Sequence, residues 1–454
     1  MSLTSVLFLF LFLPVSLFLY RLLQNRNRTA NLLLLIASLL FYAWDSVQNT
    51  LLLLIVIVWC WASGLELAGM KPGSQKRKTA LIGSAAVPIA ILAFYKYIGL
   101  FLPSIQTGFP LGLSFYIFSA ISYIADVYME KAAPCSSLLD TGLYLAFFGK
   151  VSMGPITQYH DFADQITHRK ISRDKIGKGA VQMICGLAKK VILADQLALV
   201  FASLGQDHSF LGSWVMMIAY TLQLYFDFSG YSDMAIGISR MFGFDLPANF
   251  RYPYTAKSIQ DFWRRWHISL SQWFRDYVYI PLGGSRCSAA QYIRNIFIVW
   301  ILTGIWHGST WTFVLWGIYY ALLLLAERYI FKDLLARIPN ALRVTGTFVL
   351  VLFGWVFFTQ PNISAALDVF KGLFGLSGQF ASQASLYALT SSWFLMLLAF
   401  VFCADRTPLY DRICLRIGKQ RGDLVQTAGY VILFFISVMF IVMSTSQTFL
   451  YAQF

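Results

Sequence analysis

Charge is what this sequence has least of. Charged residues make up 12% of its 454 positions and hydrophobic ones 58%, where soluble chains carry about 25% charge. That balance excludes an ordinary soluble enzyme. Basic residues outnumber acidic ones by 35 to 21, but they sit in short gaps between apolar runs. A nucleic-acid surface would gather them on soluble segments with interleaved aromatics, so that class is excluded too. The six cysteines, Cys60, Cys135, Cys185, Cys287, Cys403 and Cys414, lie far apart with no CxxC pair and no histidine at zinc-finger spacing. Neither a disulfide framework nor a bound metal is expected. Also missing are a GxSxG elbow, a GxxxxGKS/T loop, HExxH, and GxGxxG followed by a partner acid, which removes support from ATP-driven transport and zinc hydrolysis. The first twenty residues lack a basic leader and a small-residue cleavage site. They read as a retained span, and the whole chain as mature.

What the sequence has in abundance is long apolar runs. They fall near 5–20, 31–44, 50–69, 79–102, 112–129, 138–155, 179–203, 211–226, 292–306, 310–326, 343–359, 388–404 and 425–445. A spanning helix needs about 20 mostly apolar residues and satisfies its own backbone hydrogen bonds, which hydrocarbon cannot do. The runs are continuous rather than alternating, which disfavours a membrane β-barrel. The expected fold is all-α and polytopic, with roughly 11–13 membrane-embedded helices, re-entrant ones included. We read one membrane-embedded domain over 1–454, with N-terminal helices at 1–130, a core at 131–330 and C-terminal helices at 331–454.

Loops rich in lysine and arginine stay in the cytoplasm. Four such loops stand out: Arg21, Arg26 and Arg28; Lys71, Lys76, Arg77 and Lys78; Lys332, Arg337 and Arg343; and Arg406, Arg412, Arg416, Lys419 and Arg421. The gaps at 45–50 and 360–387 are nearly free of basic residues, so both termini are expected on the outer, periplasmic side. The basic stretch 156–178 breaks the alternation, because a full span at 138–155 would deliver it outside. Either 138–155 dips in and returns beside a cytoplasmic cavity, or it is a short helix on the inner surface. At 295–326 the apolar stretch is shorter than the about 40 residues two spans need. Its turn, GIWHGSTW at 304–311, is therefore expected below the outer surface.

Only five histidines exist. His160, His168 and His208 sit in polar stretches and read as solvated loop residues. His307 and His267 lie at membrane depth, where an ionisable group usually faces a protein interior or aqueous cavity and carries a functional presumption. An imidazole with its ordinary pKa of about 6.5 can take a proton from an attacking hydroxyl; alternatively His307 ties two helices together. His267 falls in RRWHISLSQWFRD at 264–276, basic and aromatic at once. Read as one helix, it places Trp266, Leu270, Trp273 and Tyr277 on one face. Its arginines suit a phosphorylated donor, or equally an interfacial helix anchored by aromatics and snorkelling side chains. Asp227 and Asp233 could orient an imidazole or pair with a cation. Lys189, Lys190 and Asp195 fit a phosphate contact or a charged face. An intramembrane cavity with one or two histidines suggests acyl transfer by general-base catalysis.

The stretch FWRRWHISLSQWFRDYVYIPLGG at 262–284, with WHG at 306–308, FDFSGYSDMAIG at 226–237, NFRYPY at 249–254 and the terminal LYAQF, resembles the membrane-bound O-acyltransferase family, and within it the alginate O-acetyltransferase branch. The resemblance covers nearly the whole chain. It implies helices around a central funnel or tunnel in the inner membrane, with an acyl donor offered from the cytoplasm and an acceptor outside. It makes the residue matching His307 catalytic and the one matching His267 a second recurring histidine, for activity or donor placement. No permanently bound cofactor is implied; the donor is acetyl-CoA or another acyl thioester, its phosphates near Arg264, Arg265 or Lys190, with Trp306 beside the catalytic turn. The implied partners are a periplasmic acetyltransferase- or esterase-like protein, a polysaccharide acceptor and the lipid bilayer. The IPLGG tail at 280–284 resembles the acetylating branch more than the D-alanylating one, which stays as an alternative. A proton-coupled transporter or flippase is the alternative from another class, although the two halves show no convincing repeat. A non-catalytic scaffold is a third.

Overall fold

The computed structural model describes residues 1–102, 104, 108–404, 412–413, 416 and 419–444, and among them every regular element is a helix. The terminal LYAQF, Arg406 and Cys414 lie outside the described residues. The chain divides into two compact units. Met1–Gly186 and Tyr231–Ala248 belong to the first, Leu187–Gly230 and Asn249–Val442 to the second. The units therefore interleave in sequence.

In the first unit the helices are α1 Leu13–Leu23, α2 Asn27–Ala43, α3 Val47–Gly69, α4 Gln75–Phe101, α5 Leu113–Tyr128, α6 Leu138–Ala146, α7 Tyr159–His168 and all but the last two residues of α8 Arg173–Ala188. Ser46 and Ser74 start α3 and α4 by accepting hydrogen bonds from the amides of Asn49 and Arg77, which satisfies donors that a helix start leaves open. The apolar run 138–155 does not form one helix. α6 has nine residues, ~13 Å of helix, less than half the hydrocarbon thickness. Residues 147–158 follow as buried, irregular backbone. Such backbone needs protein partners, and hydroxyls supply them. Ser38 Oγ accepts from the Phe148 amide at 3.0 Å, and Tyr144 OH donates to the Thr157 carbonyl at 2.9 Å. The basic stretch after it is engaged locally: Arg169 stacks on Phe244 at 4.6 Å and Lys175 pairs with Asp245 at 2.7 Å.

The second unit holds α9 Asp195–Ser203, the first part of α10 Phe210–Met241, α11 Ile259–Trp263, α12 Ile268–Phe274, α13 Ala289–His307, α14 Trp311–Tyr329, α15 Lys332–Arg337, α16 Asn340–Thr359, α17 Ile363–Leu373, α18 Gln383–Ala404 and α19 Lys419–Met443. Among the described residues, five helices are long and apolar enough to cross a membrane: α3, α4, α16, α18 and the Arg421–Met443 part of α19. The protein is thus an all-α, multi-pass membrane protein. α13 and α14 each have 19 residues, ~28 Å. Both helices continue past the apolar stretch at 295–326, so the length shortfall read there disappears, and the depth of the turn between them does not follow from it. Glycines set their spacing. A Cβ on Gly304 would strike the Phe313 carbonyl oxygen, and one on Gly317 the Trp300 carbonyl oxygen.

Candidate active site

Local sequence signals shape the segment that carries His267. The Ser258 hydroxyl accepts from the Asp261 amide and starts α11. Glu327 on α14 adds a second cap, its carboxylate accepting from the amides of Ile259 at 2.8 Å and Gln260 at 3.4 Å. Arg343 on α16 donates to the Lys257 carbonyl at 3.2 Å. The expected single helix over 264–276 is interrupted. α11 ends at Trp263, and His267 stands at φ 43°, ψ 53° in the left-handed region, opening α12. Non-glycine residues hold that conformation only when their surroundings enforce it. The face anticipated from helical spacing survives in part: Trp266, Leu270 and Trp273 are buried, while Tyr277 falls in a π-helical turn at Arg275–Tyr279 and is half-buried.

His307 is the last residue of α13. That helix begins with a capping box, in which the Ser288 hydroxyl and the Gln291 side chain each bond the other's backbone amide. The His307 ring is buried among aromatic edges: Trp306 at 4.7 Å, Trp316 at 5.0 Å and Phe358 at 5.1 Å between centroids. Gly308 is needed after it, because a Cβ there would strike the Phe313 ring.

Both histidines line one cavity of about 990 Å³ within the second unit. Its other lining side chains sort by chemistry. Trp263, Trp266 and Trp300 are aromatic, and Arg264, Arg275, Arg328, Lys332 and Arg343 are cationic, against the single carboxylate of Glu327. Arg275 is neutralised by a bidentate pair with Asp276 at 2.7 and 3.0 Å. The Arg328 guanidinium carbon lies over Tyr292, 3.9 Å from the ring centroid. Tyr292 also lines the cavity and sits near the start of α13, whereas His307 ends it. The two are ~22 Å apart at 1.5 Å per helical residue. The cavity therefore runs the length of α13, from a tyrosine carrying an arginine to a buried imidazole. His267 is 1% exposed. Its Nδ1 lies 3.1 Å from Asn249 Oδ1, its ring meets Phe228 edge to face at 4.7 Å, and burial pushes its pKa down to about 3.

The remaining residues singled out from sequence are distributed as follows. Arg264 is exposed and lines the cavity. Trp306 stands by both histidines, its ring 6.3 Å from that of His267. Arg265 instead pairs with Asp261 at 2.8 Å and donates to Thr255. Lys190 is buried in a π-helical turn, Lys189–Ala194, between Asp227 at 2.6 Å and Asp195 at 2.8 Å. Asp233 accepts from Gln182 at 3.1 Å. Neither acid approaches an imidazole in these pairs. His160 bonds Asp126 and His168 bonds Asp164, and His208 is exposed. Sequence reasoning overlooked Arg328, Glu327 and Tyr292 as lining residues. It used Lys332 and Arg343 only for sidedness, although a basic loop next to an intramembrane histidine hairpin was the available signal. No group of three or more metal-ligating side chains occurs among the described residues.

Comparison with known proteins adds the following. The model of the membrane-bound O-acyltransferase family matches residues 41–364. A protein of Pseudomonas aeruginosa named "Probable alginate O-acetylase" is 40% identical over 396 residues, 82% of this chain and 75% of that protein. Its namesake in Pseudomonas putida is 36% identical over the full length of both chains. The peptidoglycan O-acetyltransferase of Helicobacter pylori is 32% identical over 99% of this chain and 96% of its own.

Proposed function

Because the chain belongs to the membrane-bound O-acyltransferase family and is an O-acetyltransferase of the alginate O-acetylase type, we propose that it moves acetyl groups from acetyl-CoA at the cytoplasmic face to hydroxyls of an extracytoplasmic polysaccharide. A periplasmic acetyltransferase- or esterase-like partner completes delivery. The observation that carries this reading is that one cavity has cations at its surface and two imidazoles inside. From phosphorus to sulfur the pantetheine arm has about 13 bonds, ~16 Å when extended at the reach per bond of a peptide chain. With the diphosphate added, that matches the ~22 Å between Tyr292 and His307. Arg264, Arg328, Lys332 and Arg343 supply the phosphate contacts. Arg265 and Lys190, also expected near the donor phosphates, are held in ion pairs of their own. Four such cations suit a diphosphate and a 3′-phosphate better than the lone phosphodiester of a carrier protein, which is the donor form that would favour D-alanyl transfer.

In the reaction, His307 takes the proton of the acceptor hydroxyl as its oxygen attacks the thioester carbonyl carbon. The tetrahedral intermediate then expels the thiolate, which receives that proton from the imidazolium, giving an acetyl ester and free CoA. General-base removal of this kind contributes about 10²–10⁴-fold. Full-length protein in membrane vesicles, given acetyl-labelled acetyl-CoA, is expected to release or transfer label, and His307→Ala to lose that activity by about the same factor. Undiminished turnover in His307→Ala removes the catalytic assignment. A transporter or scaffold reading predicts no thioester cleavage by either protein.

A further inference from the structure

The hydrogen bonds around His267 fix more than its position. Asn249 Oδ1 receives three groups: the Ser269 amide at 3.3 Å, the Ser269 hydroxyl at 3.0 Å and the His267 Nδ1 at 3.1 Å. A backbone amide only donates, so the Asn249 atom facing it is the carbonyl oxygen and not the amide nitrogen. An oxygen cannot donate to Nδ1, so Nδ1 carries the proton. The lone pair of the neutral ring is then on Nε2. The Asn249 backbone joins in, its carbonyl accepting from the Ile268 amide at 3.0 Å. One residue therefore holds both the left-handed turn at His267 and the orientation of its ring.

We propose that Asn249 is a positioning residue that locks His267 as the Nδ1-protonated, neutral tautomer, so that Nε2 serves the acyl-transfer cavity as a hydrogen-bond acceptor rather than as a proton carrier. An acidic orienter would do the opposite, since a carboxylate beside Nδ1 stabilises the imidazolium. Asn249 offers oxygen without charge. On α10 the ring faces Phe228, and the adjacent Asp227 is committed to Lys190. On α13 it faces Trp306. The acceptor on Nε2 suits an N–H or O–H group, which the amides of a pantetheine arm and a sugar hydroxyl both present. This inference rests on the cavity being the transfer site.

The experiment separates the two. Full-length protein with ¹⁵N-labelled histidine, reconstituted in lipid, gives ring nitrogen signals for only five histidines, and the His267→Gln spectrum assigns those of His267. The expected wild-type signature is a protonated Nδ1 and a bare Nε2 from pH 8 down to pH 5. An Nε2-protonated or charged ring overturns the proposal without any Asn249 variant having to fold. Asn249→Ala is expected to mix the tautomers and lower kcat for acetyl-CoA by about ten- to a hundredfold, the usual cost of losing an orienting partner, with KM little changed. Asn249→Asp keeps the oxygen, so it is expected to retain the tautomer and activity at high pH. An acid limb should then appear as the ring gains a proton. An unchanged pH profile in Asn249→Asp, or full kcat in Asn249→Ala, also counts against the lock. Should His267→Gln and His307→Ala both turn over normally while the wild-type signature is as expected, the tautomer lock stands and the transfer-site reading fails.

Discussion

His267 and His307 are both buried, yet what surrounds them differs in kind: an amide oxygen and a phenylalanine edge for one, an aromatic cage for the other. The difference shows in stability against pH. Burial lowers the His267 pKa to about 3 in the folded protein, whereas the unfolded chain titrates near 6.5. Below about pH 6.5 the unfolded state binds a proton that the native state refuses, so stability is complete above that pH and declines as pH falls toward 3. The unfolding midpoint of the detergent-solubilised protein is accordingly expected to drop between pH 7 and pH 5, and the drop to be shallower in His267→Gln, which cannot take up that proton. Identical pH slopes for the two proteins contradict the assignment. Both histidines were legible in the sequence because ionisable residues are so scarce there. Asn249 was not, since it pairs with a ring 18 positions later through a left-handed turn that apolar periodicity does not encode.

The helical hairpin α13–α14 turns two backbones into one wall of the cavity, and its glycines decide how close they come. A methyl at Gly317 meets the Trp300 carbonyl oxygen, an atom of helix backbone that cannot swing aside. Gly317→Ala is therefore expected to cost about 1–3 kcal/mol, seen as a lower unfolding midpoint, and to reduce transfer by moving His307 away from Trp316. Gly346→Ala on α16 is the control, because nothing lies within 4 Å of its Cβ site and alanine favours helix by up to about 1 kcal/mol. If the two variants behave alike, the spacing argument is wrong. At this scale the sequence announced the hairpin and its turn but underestimated its length. The polar ends at Ala289–Arg294 and Glu327–Tyr329 are helical without being apolar, the first through the Ser288–Gln291 capping box. The opposite holds at 264–276, expected as one helix, while 138–155, expected to dip in and return or to form a short helix, is likewise not one continuous helix. There, apolar or amphipathic patterns continue through residues whose backbone leaves the helix, because buried hydroxyls, or Asn249, supply the hydrogen bonds the helix would have provided.

For the molecule as a whole, the donor site and the sidedness of the chain are one claim. Lys332 and Arg343 belong to the basic stretch that the positive-inside rule assigns to the cytoplasm, and the same side chains line the cavity with Arg328. A phosphorylated donor can reach them only if that stretch does face the cytoplasm. The loop after α17, poor in basic residues, must then face outward, where an acceptor or partner approaches. Single cysteines test the pair. Among the native thiols, Cys60, Cys135 and Cys403 are buried and Cys185 and Cys287 half-buried, so replacing Cys185, Cys287 and Cys414 by serine leaves a quiet background. Arg337 and Leu376 are both exposed. In intact spheroplasts a membrane-impermeant maleimide is expected to label Leu376→Cys at once and Arg337→Cys only after permeabilisation. The reverse pattern would put the cationic lining outside, beyond the reach of any cytoplasmic thioester, and the proposed direction of transfer would have to be given up even if both histidines proved essential.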